Sequence, residues 1–309
     1  IVRRVFQNKS LFGIDGVSVK GGTDLKQVCI NDPSVRALAT EKMDDLPFPV
    51  YDDYYKQLEA SGIAASWNKR MVPFETSRGC WWGEKKQCRF CGFIPEQIAY
   101  RTKSTQRVIK ELKWIADRYK PTLIVMVDSI LNPSHFDDLF PALISNGLRF
   151  PIFWETRIST KKSHVQTMRD AGICFIQAGI ESLSSPILKL MRKGTTAIQN
   201  IQFLKWCREY GINVYWNFLC GFPGETAEEY YRMADLIPLL FHLPPPGLFN
   251  RMNLVRFSPY FEKPGIYGIK DIAPLTAYEV IYPKVDFQTL SKLAYSFTFK
   301  DSSLKDLKI

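Results

Sequence analysis

Three cysteines that lie close together are the residues whose types and spacing point most directly to chemistry. Cys80, Cys88 and Cys91 form a C-x7-C-x2-C pattern within the stretch RGCWWGEKKQCRFCGF, residues 78–93. An iron–sulfur cluster of the four-iron type is normally held by four cysteine thiolates, but no fourth cysteine lies near these three in the sequence. The pattern therefore predicts a cluster in which one iron is left free to bind another molecule.

A structural zinc site is the main alternative interpretation of these cysteines. A zinc ribbon needs a second pair of ligands, and the remaining cysteines and histidines stand singly: Cys29, Cys174, Cys207, Cys220, His135, His164 and His242. A disulfide framework is less favoured, because seven cysteines, an odd number, fit a reducing compartment better than a secreted scaffold. The sequence therefore predicts a cytoplasmic protein.

The composition is that of a globular protein with a large core, with 46% hydrophobic and 23% charged residues among 309. No apolar run reaches the roughly 18 residues that would span a membrane, and no signal-peptide pattern opens the chain. The net charge of +10 is spread along the chain, so nucleic acid is an unlikely partner, whereas an acidic peptide is compatible with it. Because the chain begins without Met, we expect it to be an internal piece of a longer protein.

Short β-rich runs alternate with amphipathic helical stretches from residue 72 onward, which is typical of parallel βαβ units. The predicted strands are residues 72–79, 122–129, 150–157, 174–181, 213–220 and 251–258. The predicted helices include residues 104–119 with Ser104 as the N-cap, residues 196–210, and a helix from Glu225 to the proline break at 244–246. Six parallel strands with crossover helices fit either an open sheet or a partial barrel.

Polar residues recur at the carboxyl ends of five predicted strands, where ligands bind in both kinds of parallel sheet. These are Asp128-Ser129, Glu155-Thr156-Arg157, Glu181-Ser182, the turn from Gly221 to Glu225, and Arg256 with Ser258. A single polar residue of this kind could be a helix N-cap, and Ser182 also fits that interpretation. Recurrence at five strand ends favours a ligand site.

The two ends of the chain carry weaker patterns. GIDGVSVKGG (13–22) predicts a hairpin with glycine turns, and LPFPVYDDYY (46–55) predicts an extended aromatic linker. No residue before Glu75 suggests chemistry. Toward the other end, DFQTLSKLAYSF (286–297) predicts a helix.

Five stretches occur in the order found in one family of enzymes: TSRGCWWGEKKQCRFCGF, QAGIESLS, LKLMRKGTT, WNFLCGFPGET and RFSPYF. With them the chain resembles the radical S-adenosylmethionine (SAM) superfamily. It is most similar to the branch that matures ribosomally made peptides (RiPPs) and carries an N-terminal cobalamin-binding-type domain. The usual spacing in the superfamily is C-x3-C-x2-C, so the four extra residues before Cys88 are a departure.

The resemblance implies a fold and a domain organisation. The expected fold is α/β, a partial (β/α)6 TIM-like barrel of the radical SAM type, with remnants of a preceding domain at the N-terminus. Residues 1–71 would be the tail of the cobalamin-binding-type domain plus a linker, residues 72–262 the radical SAM core, and residues 263–309 a C-terminal extension.

The resemblance also implies the cofactors. Cys80, Cys88 and Cys91 would hold a [4Fe–4S] cluster whose open iron chelates the amino and carboxylate groups of SAM. Reduction of the bound sulfonium gives methionine and a 5′-deoxyadenosyl radical, so an electron donor such as ferredoxin or flavodoxin is an implied partner. Cobalamin is a further cofactor of this branch, because the C-methylation found there needs it.

Several residues are implied as SAM contacts near the cluster. Phe90, just before the third cysteine, would pack near the adenine, although ordinary core packing also explains it; Gly92 follows that cysteine directly. Asp128 would accept a hydrogen bond from the methionine ammonium, and Glu155 would contact the ammonium or the ribose.

The later strand ends supply the remaining implied contacts. Glu181 and Ser182 would bind the ribose hydroxyls, and Arg192 would pair with the methionine carboxylate, although a surface arginine is an equally good interpretation. Gly221 would leave room for the backbone to approach the adenine, or would simply form a tight loop.

The implied substrate is a precursor peptide, and the branch performs epimerisation, C-methylation or ring formation at an unactivated carbon. Epimerisation needs a hydrogen donor, usually a thiol, and Cys220 at the end of the fifth predicted strand is the candidate, although free cysteines are more often small buried hydrophobes. The runner-up function is a radical SAM enzyme that modifies RNA, such as a methylthiotransferase, which a small C-terminal β-barrel would support.

Overall fold

The computed structural model describes residues 42–62, 70–94, 98–158 and 161–301. The strands are β1 (Met71–Phe74), β2 (Ser77–Arg78), β3 (Arg101–Thr102), β4 (Leu123–Met126), β5 (Ile152–Thr156), β6 (Ile173–Glu181), β7 (Asn213–Cys220), β8 (Leu248–Arg251), β9 (Leu254–Val255), β10 (Ile269–Pro274) and β11 (Ser296–Asp301). The α-helices are α1 (Asp52–Ala60), α2 (Trp81–Lys86), α3 (Thr105–Tyr119), α4 (Leu139–Ser145), α5 (Lys162–Asp170), α6 (Ser185–Leu190), α7 (Ala197–Glu209), α8 (Ala227–Leu236), α9 (Pro259–Glu262), α10 (Thr276–Ile281) and α11 (Phe287–Leu293).

Six strands form a parallel sheet in the order β1-β4-β5-β6-β7-β8. The first five follow each other in this order because each is linked to the next through helices that pack on one face of the sheet. This arrangement confirms the predicted α/β fold with a partial TIM-like barrel of six parallel strands.

The sheet buries one face and leaves the other partly open. Alternate residues of β4 and β5, such as Ile124, Met126, Ile152 and Trp154, are buried in the core beside the helices. The residues between them are only partly covered. This period of two places the polar residues of the opposite face around an interior space at the carboxyl ends of the strands.

The sixth predicted strand, residues 251–258, is wrong. The sixth parallel strand is β8, which ends at Arg251, and β9 at Leu254–Val255 belongs to an antiparallel sheet of order β10-β11-β9. All four residues of β8 are exposed. Since an exposed strand shows no alternation between apolar and polar residues, the sequence carried no signal for it.

Two small sheets frame the cysteine segment. β2 pairs with β3 in antiparallel fashion, Ser77 opposite Thr102 and Arg78 opposite Arg101, so the chain that carries the cysteines leaves and returns at one point. At the far end of the segment, Gly92 lies against the strand β9 and the residue after it. A Cβ atom at Gly92 would lie 2.5 Å from the carbonyl oxygen of Arg256, so only glycine permits this approach.

The stretch before the barrel was predicted to be an extended linker over residues 46–55, and this is only partly right, because α1 begins at Asp52. Tyr51 donates a hydrogen bond to the Pro73 carbonyl at 2.6 Å, and Tyr55 donates one to the Met71 carbonyl at 3.1 Å. These phenols occupy carbonyl groups on the free edge of β1, where an open strand would invite unwanted pairing.

The predicted hairpin at residues 13–22 lies outside the described residues, and the three domain boundaries stay predictions.

The helix predictions hold where a cap marks the start. Ser104 accepts a hydrogen bond from the Arg107 amide, and Thr196 forms a capping box with Gln199, so α3 and α7 begin where the sequence indicated. The helix predicted over 286–297 is shorter, because α11 ends at Leu293 and β11 follows.

Among the helices of the described residues, none is long and apolar enough to cross a membrane.

Candidate active site

The cysteine loop begins with a turn that only glycine can make. Gly79 has a φ of +85°, and a Cβ atom there would lie 2.2 Å from the carbonyl oxygen of Ala99. Cys80 donates its amide to the Ile98 carbonyl at 3.0 Å and then caps α2, its sulfur accepting from the Gly83 amide at 3.3 Å. The residues that lengthen the spacing between Cys80 and Cys88 therefore form a short helix.

Cys80, Cys88 and Cys91 are free, partly exposed thiols. Burial raises the pKa of Cys91, and the negative charges of Cys88 and Cys80 raise it further, which shows that the three sulfurs are electrostatic neighbours. In the described part of the chain, no three His, Cys, Asp or Glu side chains converge to hold a single metal ion. A lone zinc ion therefore lacks its ligand set, whereas a four-iron cluster takes each thiolate on a different iron and fits three separated sulfurs.

A cavity of about 170 Å³ opens at the carboxyl ends of the parallel strands, beside two of the cysteines. Cys80, Cys88 and Trp82 form one side. The other sides come from the ends of β4 to β7 and from the turn after α6: Ser129, Ile130, Glu155, Thr156, Arg157, Gln177, Ala178, Gly179, Glu181, Lys193 and Asn217. The strand-end residues and the cysteines thus meet in one place.

An ion pair lies in this cavity. The Lys193 ammonium contacts a Glu181 carboxylate oxygen at 2.9 Å, and both side chains are largely buried. Gly179 makes room for the lysine, because a Cβ atom there would lie 2.8 Å from Nζ. Glu181 itself has a φ of +61°, in the left-handed region that costs a non-glycine residue roughly 1–3 kcal/mol and that occurs preferentially at functional sites.

Two further polar side chains of the cavity are available for a ligand. Burial raises the pKa of Glu155, and within the described residues no hydrogen-bond donor is found on its carboxylate. The amide oxygen of Asn217 is buried without a partner there. A buried acceptor without a donor costs about 1–3 kcal/mol, so Asn217 favours a ligand with an N–H or O–H donor. The Glu155 carboxylate is only partly buried and can accept from the same ligand.

Comparison with known proteins identifies the family. Residues 74–237, more than half of the chain, match the model of the radical SAM superfamily. The chain belongs to the radical SAM superfamily. Members of this family bind a [4Fe–4S] cluster and SAM. Cys80, Cys88 and Cys91, of which the first two line the cavity, are the residues of this radical SAM protein that fit the cluster.

Three similar proteins give the context of this radical SAM protein. An uncharacterized methyltransferase of Pyrococcus horikoshii is 31% identical over 74% of the chain and 48% of its own length. A putative methylthiotransferase of Methanocaldococcus jannaschii is 26% identical over 72% of the chain and 48% of its own length. The solved radical SAM methyltransferase TsrM of Kitasatospora setae, with cobalamin and a [4Fe–4S] cluster bound, has a TM-score of 0.53 and 18% identity over 64% of the chain and 37% of its own. The chain spans about half the length of the curated relatives, and TsrM shows the fold alone.

Asp128 is not among the residues that line the cavity of this radical SAM protein, and its contact with the SAM ammonium stays a prediction. Its carboxylate is buried and accepts hydrogen bonds from the Thr76 amide at 2.7 Å, the Thr76 hydroxyl at 2.6 Å and the Ser77 amide at 2.8 Å. Both oxygens are therefore occupied by the segment that leads into Cys80. Burial is also the main cause that raises the pKa of Asp128 to about 6.

Arg192 and Ser182 also lie outside the lining of the cavity. Arg192 is exposed with a φ of +57°, and the next residue, Lys193, is the one that enters the cavity. Ser182 is fully buried beneath β6, where its hydroxyl accepts from the Ser184 amide at 3.1 Å and lies 3.5 Å from the sulfur of Met233. It therefore stabilises the start of α6, and its contact with the ribose stays a prediction.

Cys220 points away from the cavity. Its thiol is buried and lies 3.6 Å from the Asn250 carbonyl, and burial raises its pKa. Along β7 it has the parity of the core residue Trp216, whereas the cavity residue Asn217 has the opposite parity. The predicted role of Cys220 as a hydrogen donor is therefore not supported by its position.

Among the other predicted contacts, Glu155 and Glu181 line the cavity, whereas Phe90, Gly92 and Gly221 do not. Phe90 packs edge-on against Phe222 at 5.6 Å between ring centres, and the Lys193 ammonium lies 5.7 Å from its ring. Gly221 has a φ of +82° and donates its amide to Glu225 at 2.7 Å. Their contacts with SAM, like those of Glu155, Glu181 and Gly92, stay predictions.

The sequence missed Trp82, Lys193 and Asn217 as cavity residues. Trp82 and Lys193 lie in two of the motifs that carry the resemblance. The sequence therefore identified these motifs as functional but did not identify which of their residues line the cavity. Asn217 was detectable by parity, because it alternates with Trp216 on a strand whose end faces the ligand. A period-two reading of β7 would have selected it and rejected Cys220.

Proposed function

We propose that this protein uses SAM radical chemistry to methylate an unactivated carbon of a ribosomally made precursor peptide. The main observation that supports this proposal is the cavity, which is lined by Cys80 and Cys88 together with Glu155, Asn217 and the Lys193–Glu181 pair. The names of the similar methyltransferases support methylation, and the buried, outward position of Cys220 argues against thiol-dependent epimerisation.

The residues of the cavity have distinct proposed tasks. Cys80, Cys88 and Cys91 hold the cluster, which when bound supplies the electron that cleaves SAM, with ferredoxin or flavodoxin as the donor. Lys193 binds the methionine carboxylate in place of the predicted Arg192, and Glu155 accepts from the ammonium or the ribose. The aromatic rings of Trp82 and Phe90 limit the access of water to this chemistry.

The substrate class rests on the motif resemblance and on one feature of the sheet. β8 is an edge strand of the sheet. Leu248 is 50% exposed and Phe249 is 56% exposed. Leu248 is in register with the cavity residue Asn217. Since an extended peptide can pair with a free strand edge, β8 could hold a peptide backbone beside the cavity.

Cobalamin is part of the proposal, because TsrM holds it in its structure. Its contacts would come from a cobalamin-binding-type domain, of which residues 1–71 are proposed to be only the tail plus a linker. Cobalamin dependence is tested by adding it to the reconstitution and measuring methyl transfer with and without it.

The test uses anaerobically reconstituted protein and SAM that carries a deuterated methyl group. The probe is the short peptide encoded beside the gene, analysed by mass spectrometry. We expect the peptide to gain the labelled methyl group and the Cys91→Ala variant to transfer none. SAM cleavage without any labelled peptide would overturn the peptide assignment while leaving the radical SAM chemistry intact.

A methylthiotransferase acting on RNA is the second candidate, favoured by the similar protein of M. jannaschii. The small β-barrel that would support it is not found in the described residues, where the C-terminal strands form an open sheet of order β10-β11-β9. Labelled methylthio groups in RNA, with no labelled peptide, would favour this candidate.

A further inference from the structure

Arg157 occupies a position between the cysteine loop and the turn that carries Lys193. It follows β5 directly and lines the cavity. The centre of its guanidinium lies 4.0 Å from the ring centre of Trp82, and one of its nitrogens donates a hydrogen bond to the backbone carbonyl of Lys193. The side chain is thus fixed by two groups that are not cluster ligands.

The glycine after Lys193 shows how closely this stack is packed. Gly194 has a φ of +72°, and a Cβ atom there would lie 2.3 Å from the Trp82 ring and 3.5 Å from a guanidinium nitrogen of Arg157. Arginine suits this place better than lysine, because its planar guanidinium can stack on an indole and donate a hydrogen bond at the same time.

Arg157 lines the same cavity as Cys80 and Cys88. Burial lowers the pKa of Arg157, while the negative charges of Cys88 and Cys80 oppose that shift. The other cation of the cavity, Lys193, is neutralised by Glu181 at 2.9 Å. Within the described residues, by contrast, no carboxylate forms an ion pair with Arg157. Its positive charge therefore remains uncompensated by protein.

We propose that Arg157 is a positioning residue whose guanidinium, held by Trp82 and the Lys193 carbonyl, places a positive charge beside Cys88 and raises the reduction potential of the bound cluster. A cation near a cluster sulfur stabilises the more negative, reduced form. The inference rests on the cluster site and does not depend on the peptide substrate.

The test is a redox titration, followed by electron paramagnetic resonance, of the reconstituted protein without SAM. For Arg157→Gln we expect reduction to become about tenfold less favourable, a shift of about 59 mV to more negative potential for a one-electron couple. Arg157→Lys keeps the charge without the stack, so its potential should lie between those of Arg157→Gln and the unchanged protein. Iron content is measured in parallel, so that potentials are compared only among fully loaded proteins.

The matched control is Arg149→Gln, which removes an equal charge from an exposed site before the amino end of β5 and should leave the potential unchanged. A fully loaded Arg157→Gln protein with an unchanged potential would overturn the proposal and leave Arg157 a packing residue. If that variant takes up no iron, Trp82→Leu decides, because it frees the guanidinium without removing its charge. We expect a smaller shift in the same direction, and no shift there would equally overturn the proposal.

Discussion

Replacing Asp128 tests whether this residue holds the cysteine loop in place or binds SAM. In the structure its carboxylate accepts the amides of Thr76 and Ser77 and the Thr76 hydroxyl, all inside the protein. Asp128→Ala leaves both amides without an acceptor. Asp128→Asn keeps an oxygen for them and turns its amide toward the Thr76 hydroxyl, which is able to accept.

The expected difference between the two variants follows from these contacts. Each buried donor left unpaired costs about 1–3 kcal/mol, so Asp128→Ala should be about 2–6 kcal/mol less stable than Asp128→Asn. Asp128→Asn also removes a buried charge. Burial of that charge raises the pKa of the Asp128 carboxyl group from 3.8 to about 6, which corresponds to a cost of about 3 kcal/mol at neutral pH.

The pH dependence has a definite sign. Because the folded protein has the higher pKa, the contribution of Asp128 to stability is complete below about pH 4 and is lost as the pH rises through about 6. The free energy of unfolding of the unchanged protein, minus that of Asp128→Asn, should therefore fall across this window. Other carboxyl groups with raised pKa values, such as Glu155 and Glu225, cancel in the difference.

The assay is urea unfolding of the apoprotein, combined with iron uptake after reconstitution. We expect Asp128→Ala to lose both stability and iron uptake, and Asp128→Asn to keep iron uptake. The exposed Asp170 serves as the control, since Asp170→Ala should change neither. If both Asp128 variants are equally stable and load iron fully but fail to bind SAM, then Asp128 contacts SAM and the reasoning from its hydrogen bonds is refuted.

Three further outcomes follow from the site. Lys193→Met should weaken SAM binding by about ten- to a hundredfold, the value of a hydrogen bond to a charged group, whereas Arg192→Met at the exposed neighbour should leave the calorimetric affinity unchanged. Cys220→Ala should leave unchanged both SAM cleavage and any deuterium that the peptide takes up from heavy water; loss of that uptake alone would restore its donor role. Gly194→Ala should lower the thermal stability by about 1–3 kcal/mol more than Gly211→Ala, because both have a φ near +70° but only the first meets a tryptophan ring. Equal losses would contradict the steric argument.

The strands of the barrel could be predicted wherever burial of one face requires a recognisable pattern of apolar residues in the sequence. The strands β4 to β7 were located within one or two residues at most ends, because one face of each packs into the core. β8 was missed, since all four of its residues are exposed. The antiparallel sheet was missed for another reason. Its strands pair residues that are far apart in the sequence, such as Val255 and Ser296, and a local sequence pattern does not predict such long-range pairing.

The site could be predicted down to the motif but not always to the residue. Glu155 is the next-to-last residue of β5 and Glu181 is the last residue of β6, and both line the cavity. Arg192 and Lys193 follow a helix that has already ended, and there the direction of each side chain depends on the left-handed φ of Arg192. A single backbone angle thus decided which cation faces the cavity, and composition or spacing contains no information about that angle.

Hydrogen bonds connect the cysteine loop to the turn that carries Lys193. In the cysteine loop, the Arg89 amide donates to the Met191 carbonyl at 3.0 Å and its guanidinium donates to the Leu190 carbonyl at 3.1 Å. The Tyr260 amide donates to the Arg89 carbonyl at 3.1 Å, and its hydroxyl donates to the Leu190 carbonyl at 2.8 Å. These bonds join the loop between Cys88 and Cys91 to the turn that presents Lys193. The protein's own hydrogen bonds thus hold together the elements that carry the thiols and the cation proposed for SAM, which preorganises the site.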